Sequence, residues 1–255
     1  MASRKEERER ARAERERQEA EQEAHARRQR LVQLGSAAVL LAIVAVAAVI
    51  IVSQNSGGGS GGDTKLESVS QVNSELRGLD QQGLTLGDPK AKVTVVEFGD
   101  LQCPVCKAYS EQVIPAVING PVQKGQAKLE FRNWTIIGSQ SKPAATAALA
   151  ASEQGRYWSF ITLFYRNQGQ ENSGYVTDSF LESVARGAGV ADISKWTEAR
   201  QSSKWDAQLN GTAAQAQQLG LTGTPGFLFE GPKGRKVVAS PGSSAAIESA
   251  IKSVS

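Results

Sequence analysis

The chain is poor in the two residue types that do most reactive side-chain chemistry. Its 255 residues hold one histidine, His25, and two cysteines, Cys103 and Cys106. Beyond residue 62 there is no histidine at all. That excludes Ser-His-Asp and Cys-His hydrolase arrangements and most zinc sites from the C-terminal bulk. Lys107 follows Cys106, so the C-x-x-C-H pattern of haem attachment fails as well. Charge is also absent from one long stretch, with none between Arg30 and Asp63. Over residues 63–255, 19 Lys/Arg nearly balance 18 Asp/Glu, which argues against nucleic-acid binding.

The uncharged stretch contains Leu31 to Val52, 22 residues interrupted only by Gln33, Gly35 and Ser36. At a rise of 1.5 Å per residue it covers a hydrocarbon core of ~30 Å. Arg27, Arg28 and Arg30 abut its N-terminal end, and the positive-inside rule then places residues 1–30 in the cytoplasm and the C-terminal bulk outside. A cleaved signal peptide is the competing reading. The 30-residue charged leader and the length of the apolar run favour an uncleaved anchor. Residues 1–30 carry ten Lys/Arg and eight Asp/Glu without an apolar stripe, the pattern of a solvated, partly helical tail. His25 lies in this tail and is assigned no role. Ser53 to Gly62 reads as a flexible Gly/Ser linker reaching roughly 17 Å.

Residues 63–255 are long enough for one domain with its own core. Leu66, Val69, Val72, Leu76 and Leu79 predict an amphipathic helix over 64–79. Lys92 to Phe98 is β-branched and nearly continuous in apolar character, as in a strand buried on both faces. The Gly99 to Gln102 loop leads to Cys103, and Pro104 suits the first position of a helix. That helix is expected to run to about Asn119 with a bend at Pro115. Ala127 to Trp134 reads as a second strand and residues 141–219 as a helical block. Phe227 to Glu230 and Lys236 to Ala239 form a hairpin, and Ser243 to Val254 a closing helix. The sum is an α/β domain with one helical insertion.

Cys103-Pro104-Val105-Cys106 carries the chemistry. The three-residue step brings both sulfurs within disulfide reach across the first turn of a helix. A bridge closing so short a loop stabilises little, so a reversible dithiol/disulfide couple outweighs a structural staple or half of an intermolecular metal site. Only a thiolate attacks a disulfide, and unpaired N–H groups at a helix N-terminus favour one. Cys103 is therefore read as the exposed, attacking sulfur and Cys106 as the more buried, resolving one. Glu97 shares a strand face with Val93 and Val95, so it is expected to be buried. Asp100 is read as a loop residue. Trp134, Trp158, Trp196 and Trp205, with Phe160, Phe164 and Tyr165, are read as core.

Glu97-Phe98-Gly99-Asp100-Leu101-Gln102-Cys103-Pro104-Val105-Cys106-Lys107, followed far downstream by Gly223-Thr224-Pro225-Gly226-Phe227, resembles the DsbA-like thiol:disulfide oxidoreductases of the thioredoxin superfamily. The likeness is in particular to membrane-anchored forms of Gram-positive and actinobacterial type, and it covers about residues 84–250. It implies a thioredoxin-like fold with an inserted helical domain at about 141–219, preceded by one transmembrane helix at 31–52. It assigns catalysis to Cys103 and Cys106, and to Glu97 as a buried acid that moves the proton of Cys106. Thr224 and Pro225 match the family's cis-proline loop, and with Pro104 and Val105 they are expected to contact substrate.

The implied function is an extracytoplasmic, membrane-tethered dithiol oxidase for exported proteins that bear thiols. Its implied reoxidant is a quinone-linked membrane protein of DsbB or vitamin K epoxide reductase type. A monomer with no cofactor, no metal and no nucleic-acid partner is expected. One departure bears on direction. Oxidising members carry a histidine between the cysteines, where this chain has Val105. Thioredoxin and DsbA differ by ~150 mV, or ~7 kcal/mol for two electrons, and the motif does not place the chain on that scale. A reductase or isomerase of the same fold, and a redox-inactive peptide-binding assembly factor, stay open as alternatives.

Overall fold

The computed structural model describes residues 65–255. The expected cytosolic tail, membrane span and Gly/Ser linker all lie outside the described residues. Among the described residues no helix is long and apolar enough to cross a membrane.

Val93–Gly99 (β3) is the axis of the domain, with every residue but Thr94 buried. Its neighbours in chain order are the short strands Gln81–Gln82 (β1) and Thr85–Leu86 (β2) before it. Ala127–Asn133 (β4), Gly226–Gly231 (β5) and Gly234–Val238 (β6) follow. The six strands lie in the order β1-β2-β4-β3-β5-β6. β3 runs parallel to β4, in register from Val93↔Ala127 to Gly99↔Asn133, and antiparallel to β5. A parallel neighbour needs a crossover, and the chain from Pro104 onward supplies it.

Period-two alternation divides the sheet between two cores. Val93, Val95, Leu129, Phe131, Phe227 and Phe229 enter the larger cluster, whereas Val96, Phe98 and Leu228 enter a smaller one with Trp134, Ala216 and Leu221. Gly99 is glycine for a packing reason, because a Cβ there would stand 2.5 Å from the Phe131 ring. The absent side chain lets that ring lie against the strand end that leads to Cys103.

The helices differ from the expected ones mainly at their ends. Val69–Glu75 (α1) is shorter than the 64–79 reading. Pro104–Gln112 (α2) stops one residue before Ile114–Val117 (α3), which passes into a π turn at Ile118–Val122. Proline explains the break. Pro115 has no N–H and its ring crowds the carbonyl four residues back, so a new helix starts that puts it in the first turn. Pro121 is taken up by the wider π turn, where Gln123 N donates to Ile118 O over 2.9 Å.

Between β4 and β5 lie Ser141–Ser152 (α4), Tyr157–Arg166 (α5), Asp178–Gly187 (α6), Ile193–Gln201 (α7) and Asp206–Gln218 (α8). The alanines of α4 present a smooth surface on which α7 packs closely enough for Trp196 Nε1 to donate to Ala147 O at 2.9 Å. α5 is buried from Tyr157 to Tyr165, and its Phe160 and Phe164 meet Trp196, Tyr175 and Phe180. Thr177 and Asp192 cap α6 and α7 by accepting from Phe180 N and Lys195 N. Trp134, Trp158 and Trp196 are buried as expected, while Trp205 is only partly so, with Lys204 Nζ 4.7 Å above its ring. Ser244–Val254 (α9), capped by Ser243, closes the chain against β5 and β6.

Candidate active site

Three chain segments meet where β3 ends. The strand delivers Glu97, the loop Gly99 to Gln102 turns, and Cys103 stands as the N-cap of α2 with extended backbone (φ −71°, ψ 120°). Pro104 takes the first helical position, as its spacing required. From the far side of the insertion, the Thr224–Pro225 bond, which is cis, brings the Thr224 carbonyl 3.5 Å from the Cys103 sulfur, whose thiol donates to it.

Burial departs from the sequence reading at one point. Cys106 is fully buried, as expected, but Cys103 is only 4% exposed rather than an open sulfur. The Thr224–Pro225 segment that sequence alone could not place lies over it. The open surface belongs instead to Pro104 and to Val105, which is 46% exposed. Both thiols are free in this structure.

The electrostatics separate two chemically identical groups. Cys103 is lowered from 9.0 to about 6, first by the hydrogen bond from the Cys106 thiol. Burial opposes that shift, and the Thr224 side chain and the Cys106 and Val105 amides add to it. In the dithiol form Cys103 makes no side-chain cap bond to α2. The sequence reading credited the helix N-terminus; the larger cause is the second cysteine. Cys106 is pushed well above 9.0 by burial, then by its bond to Cys103 and the negative charges of Cys103 and Glu97. Glu97, 4% exposed, is pushed up to about 8, chiefly by burial and then by the Cys103 charge. At neutral pH the trio therefore holds a thiolate, a thiol and a protonated carboxyl group.

The sequence reading missed the shell around this trio. Asp100 lies in the expected loop but is 1% exposed. Its Oδ1 accepts from Gln102 N at 2.9 Å, and its Oδ2 from Ile136 N at 2.8 Å and Ile137 N at 3.0 Å. The first bond is an Asx turn, a signal the Asp-x-Gln spacing carries; the other two come from a loop beyond β4 and have no local signature. Gln102, fully buried, donates to Ser141 Oγ at 3.1 Å and accepts from Asn172 N at 3.0 Å. Tyr165 donates to Asp100 O at 3.1 Å. On the opposite side Tyr109, on α2, shares a 2.9 Å hydrogen bond with Ser240, and its ring centroid is 5.7 Å from that of Phe227.

Among the described residues no cluster of His, Cys, Asp and Glu could hold a metal ion. What the arrangement can do is exchange a disulfide: a stabilised thiolate, a second thiol one turn away and a buried acid with a displaced proton affinity sit together.

The family profile for thioredoxin matches residues 80–253. The chain belongs to the thioredoxin family, as a DsbA-like protein disulfide oxidoreductase. It is 29% identical over 150 residues to the probable disulfide bond formation protein D of Bacillus cereus, covering 58% of this chain and 69% of that one. Among solved structures, a thioredoxin-like oxidoreductase from Silicibacter pomeroyi is 30% identical with a TM-score of 0.55, covering 66% of this chain and 90% of that one. Oxidised BdbD from Bacillus subtilis shares the fold with a TM-score of 0.59 at 24% identity, over 69% of this chain and 96% of that one.

Proposed function

We propose that the chain works as a membrane-tethered, extracytoplasmic dithiol oxidase that introduces disulfides into exported proteins through Cys103 and Cys106. The observation that carries this direction is the low proton affinity of Cys103. A reduced form that holds a stabilised thiolate gives up electrons reluctantly, so its disulfide is the better oxidant.

The cycle starts from the Cys103–Cys106 disulfide. A substrate thiolate attacks the Cys103 sulfur, the S–S bond breaks, and Cys106 leaves with the electron pair. Glu97 supplies its proton to that sulfur, since Cys106 holds a proton far more tightly than the carboxyl group does. The substrate's second thiolate then attacks the substrate sulfur bonded to Cys103, and Cys103 departs as a stable thiolate. Two substrate thiols have become one disulfide and the enzyme leaves as a dithiol. Thr224, Pro225, Pro104 and Val105 border the sulfur and would contact the incoming chain, with the Thr224 backbone able to pair with an extended segment.

Residues 31–52 serve as the anchor in this reading, with residues 1–30 cytoplasmic and the linker at 53–62 holding a monomeric domain near the outer surface. Such tethering raises the effective concentration toward another membrane protein. Reoxidation is assigned to a quinone-linked protein of DsbB or vitamin K epoxide reductase type. Deleting that protein should leave Cys103 and Cys106 as the dithiol in cells; a couple that stays oxidised without it, small-molecule oxidants being absent, removes the partner.

A reductase of the same fold is the second reading. Val105, which stands where oxidising members carry histidine, favours it. Acid quench and alkylation of the protein in cells decides between them. A mostly oxidised couple supports the oxidase, and a mostly reduced one the reductase.

A further inference from the structure

Gln168 stands two residues beyond the end of α5 and is 6% exposed. Its side-chain nitrogen donates to two carbonyls of the active-site loop, Leu101 O at 2.7 Å and Cys103 O at 3.2 Å. Its own carbonyl accepts from Lys107 Nζ, one turn into α2, at 3.4 Å. Tyr165, three residues earlier, holds the carbonyl of Asp100, and Asn172, four residues later, donates its backbone N–H to Gln102. Segment 165–172 thus grips the loop at 100–103 through four separate bonds, and Gln168 alone reaches the peptide that carries a cysteine.

We propose that Gln168, a residue of the helical insertion, is a positioning residue for the Cys103 sulfur: its amide joins the Lys107 N–H, 3.1 Å away, in fixing the Cys103 carbonyl and so helps to aim the sulfur at the first amides of α2. This rests on the reading of Cys103 as the attacking thiolate. The rotation that decides where the sulfur sits relative to the Val105 and Cys106 amides is ψ of Cys103, and the direction of the Cys103 carbonyl defines it. Pro104 contributes no N–H, so those two amides are the first donors the helix offers. The amide also covers the negative ends of two carbonyl dipoles close to the thiolate, which would otherwise repel it. With Val105 where a histidine could have stabilised the charge, the backbone has to supply more of that stabilisation. Gln168 keeps the backbone in place. It touches neither sulfur and moves no proton, so it acts on the reaction through Cys103.

Gln168→Met keeps length and volume while removing the donor, and Gln168→Asn keeps the amide but shortens its reach. Three measurements on the full domain test the role: thiolate ultraviolet absorbance against pH, the alkylation rate of Cys103, and the equilibrium of the couple with glutathione. Below the Cys103 midpoint, Gln168→Met should carry about fivefold less thiolate and react correspondingly slower, the factor expected for one lost hydrogen bond. Its equilibrium with glutathione should move by a similar factor toward the disulfide, and Gln168→Asn should follow in the same direction by less. Should Gln168→Met fail to fold, the shorter amide still gives the sign. Folded variants that titrate and equilibrate like the wild type, with only a lower melting temperature, overturn the proposal and leave the thiolate reading standing. A wild-type Cys103 that titrates like a free thiol overturns both.

Discussion

Cys103, Cys106, Glu97 and Thr224 come from β3, the start of α2 and the loop before β5, all parts of the thioredoxin frame, whereas Tyr165, Gln168 and Asn172 come from α5 and the loop after it, in the insertion between β4 and β5. The frame contributes the groups whose proton affinities are displaced in opposite directions, Cys103 downward and Cys106 and Glu97 upward. The insertion contributes neutral hydroxyl and amide donors, Tyr165 and Gln168 to backbone carbonyls and the Asn172 N–H to the side-chain oxygen of Gln102. A site of this kind divides its labour. Reactive groups are placed by β3, whose burial raises Glu97, and by the start of α2. The angles between them are held by the helical block, whose Phe160, Phe164 and Trp196 pack into the same large cluster as Val93 and Phe131 of the sheet. Substitutions in the two regions should therefore fail in different ways.

The largest contrast is in turnover. Cys103→Ser should abolish oxidative refolding of a reduced substrate, and Cys106→Ser should accumulate mixed disulfides on Cys103. Trp196→Phe, deep in the insertion, should keep turnover while costing ~1–2 kcal/mol of stability through the lost bond to Ala147 O. An active Cys103→Ser protein would end the proposed mechanism.

Asp100 sits on the seam between the regions, so its removal should be felt as stability. Asp100→Ala leaves three backbone N–H groups without their acceptor, that of Gln102 buried and those of Ile136 and Ile137 part-buried. At ~1–3 kcal/mol for the buried Gln102 group and less for the two that water can reach, the loss should be roughly 2–4 kcal/mol in urea unfolding. A loss below ~1 kcal/mol would show that the seam is held by the helices alone.

Glu97 predicts the opposite sign. Its folded pKa of about 8 exceeds the ordinary 4.5, so the folded protein binds more protons than the unfolded chain between those values and stability falls as pH rises through that window. Glu97→Gln removes the penalty and should stabilise the reduced protein by up to ~3 kcal/mol at pH 7, with little gain below pH 4. The same variant should slow formation of the mixed disulfide, the step in which Glu97 gives its proton to the departing Cys106 sulfur. A variant that is less stable at pH 7 would mean the carboxyl group is not held against its charge.

Strand β3, the dithiol at the start of α2 and the hairpin β5–β6 were legible because each is written locally, in a β-branched run, a Cys-Pro-x-Cys and a Gly-x-x-Gly. β1 and β2 were not, since two-residue strands show no periodicity. The division of the helix after Cys103 into α2, α3 and a π turn was legible only as a bend at Pro115. Thr224–Pro225 was placed at the sulfurs by family resemblance alone, because 121 residues separate Thr224 from Cys103 and no spacing rule spans them. Gln102 and Gln168 left no trace for a related reason. A buried amide has the same letter as a solvated one, and only the fold says which carbonyls it meets.

The smallest effect separates the thiolate from the acid beside it. Between the folded Cys103 value of about 6 and the ordinary 9.0, the folded reduced protein binds fewer protons than the unfolded chain, so its stability should rise with pH across that window. The oxidised protein has no thiol to titrate. The reduced-minus-oxidised difference in unfolding free energy should thus be flat below pH 6 and grow to about 1 kcal/mol by pH 7. Glu97 titrates over an overlapping range with the opposite slope, so the measurement belongs in a Glu97→Gln background, where the carboxyl contribution is removed from both redox forms. Adding Gln168→Met to that background should shift the onset to higher pH and shrink the gap at pH 7. A gap that does not change between pH 5 and pH 8 would show that Cys103 carries no stabilised charge, and the distinction between a reacting frame and a positioning insertion would lose its electrostatic content.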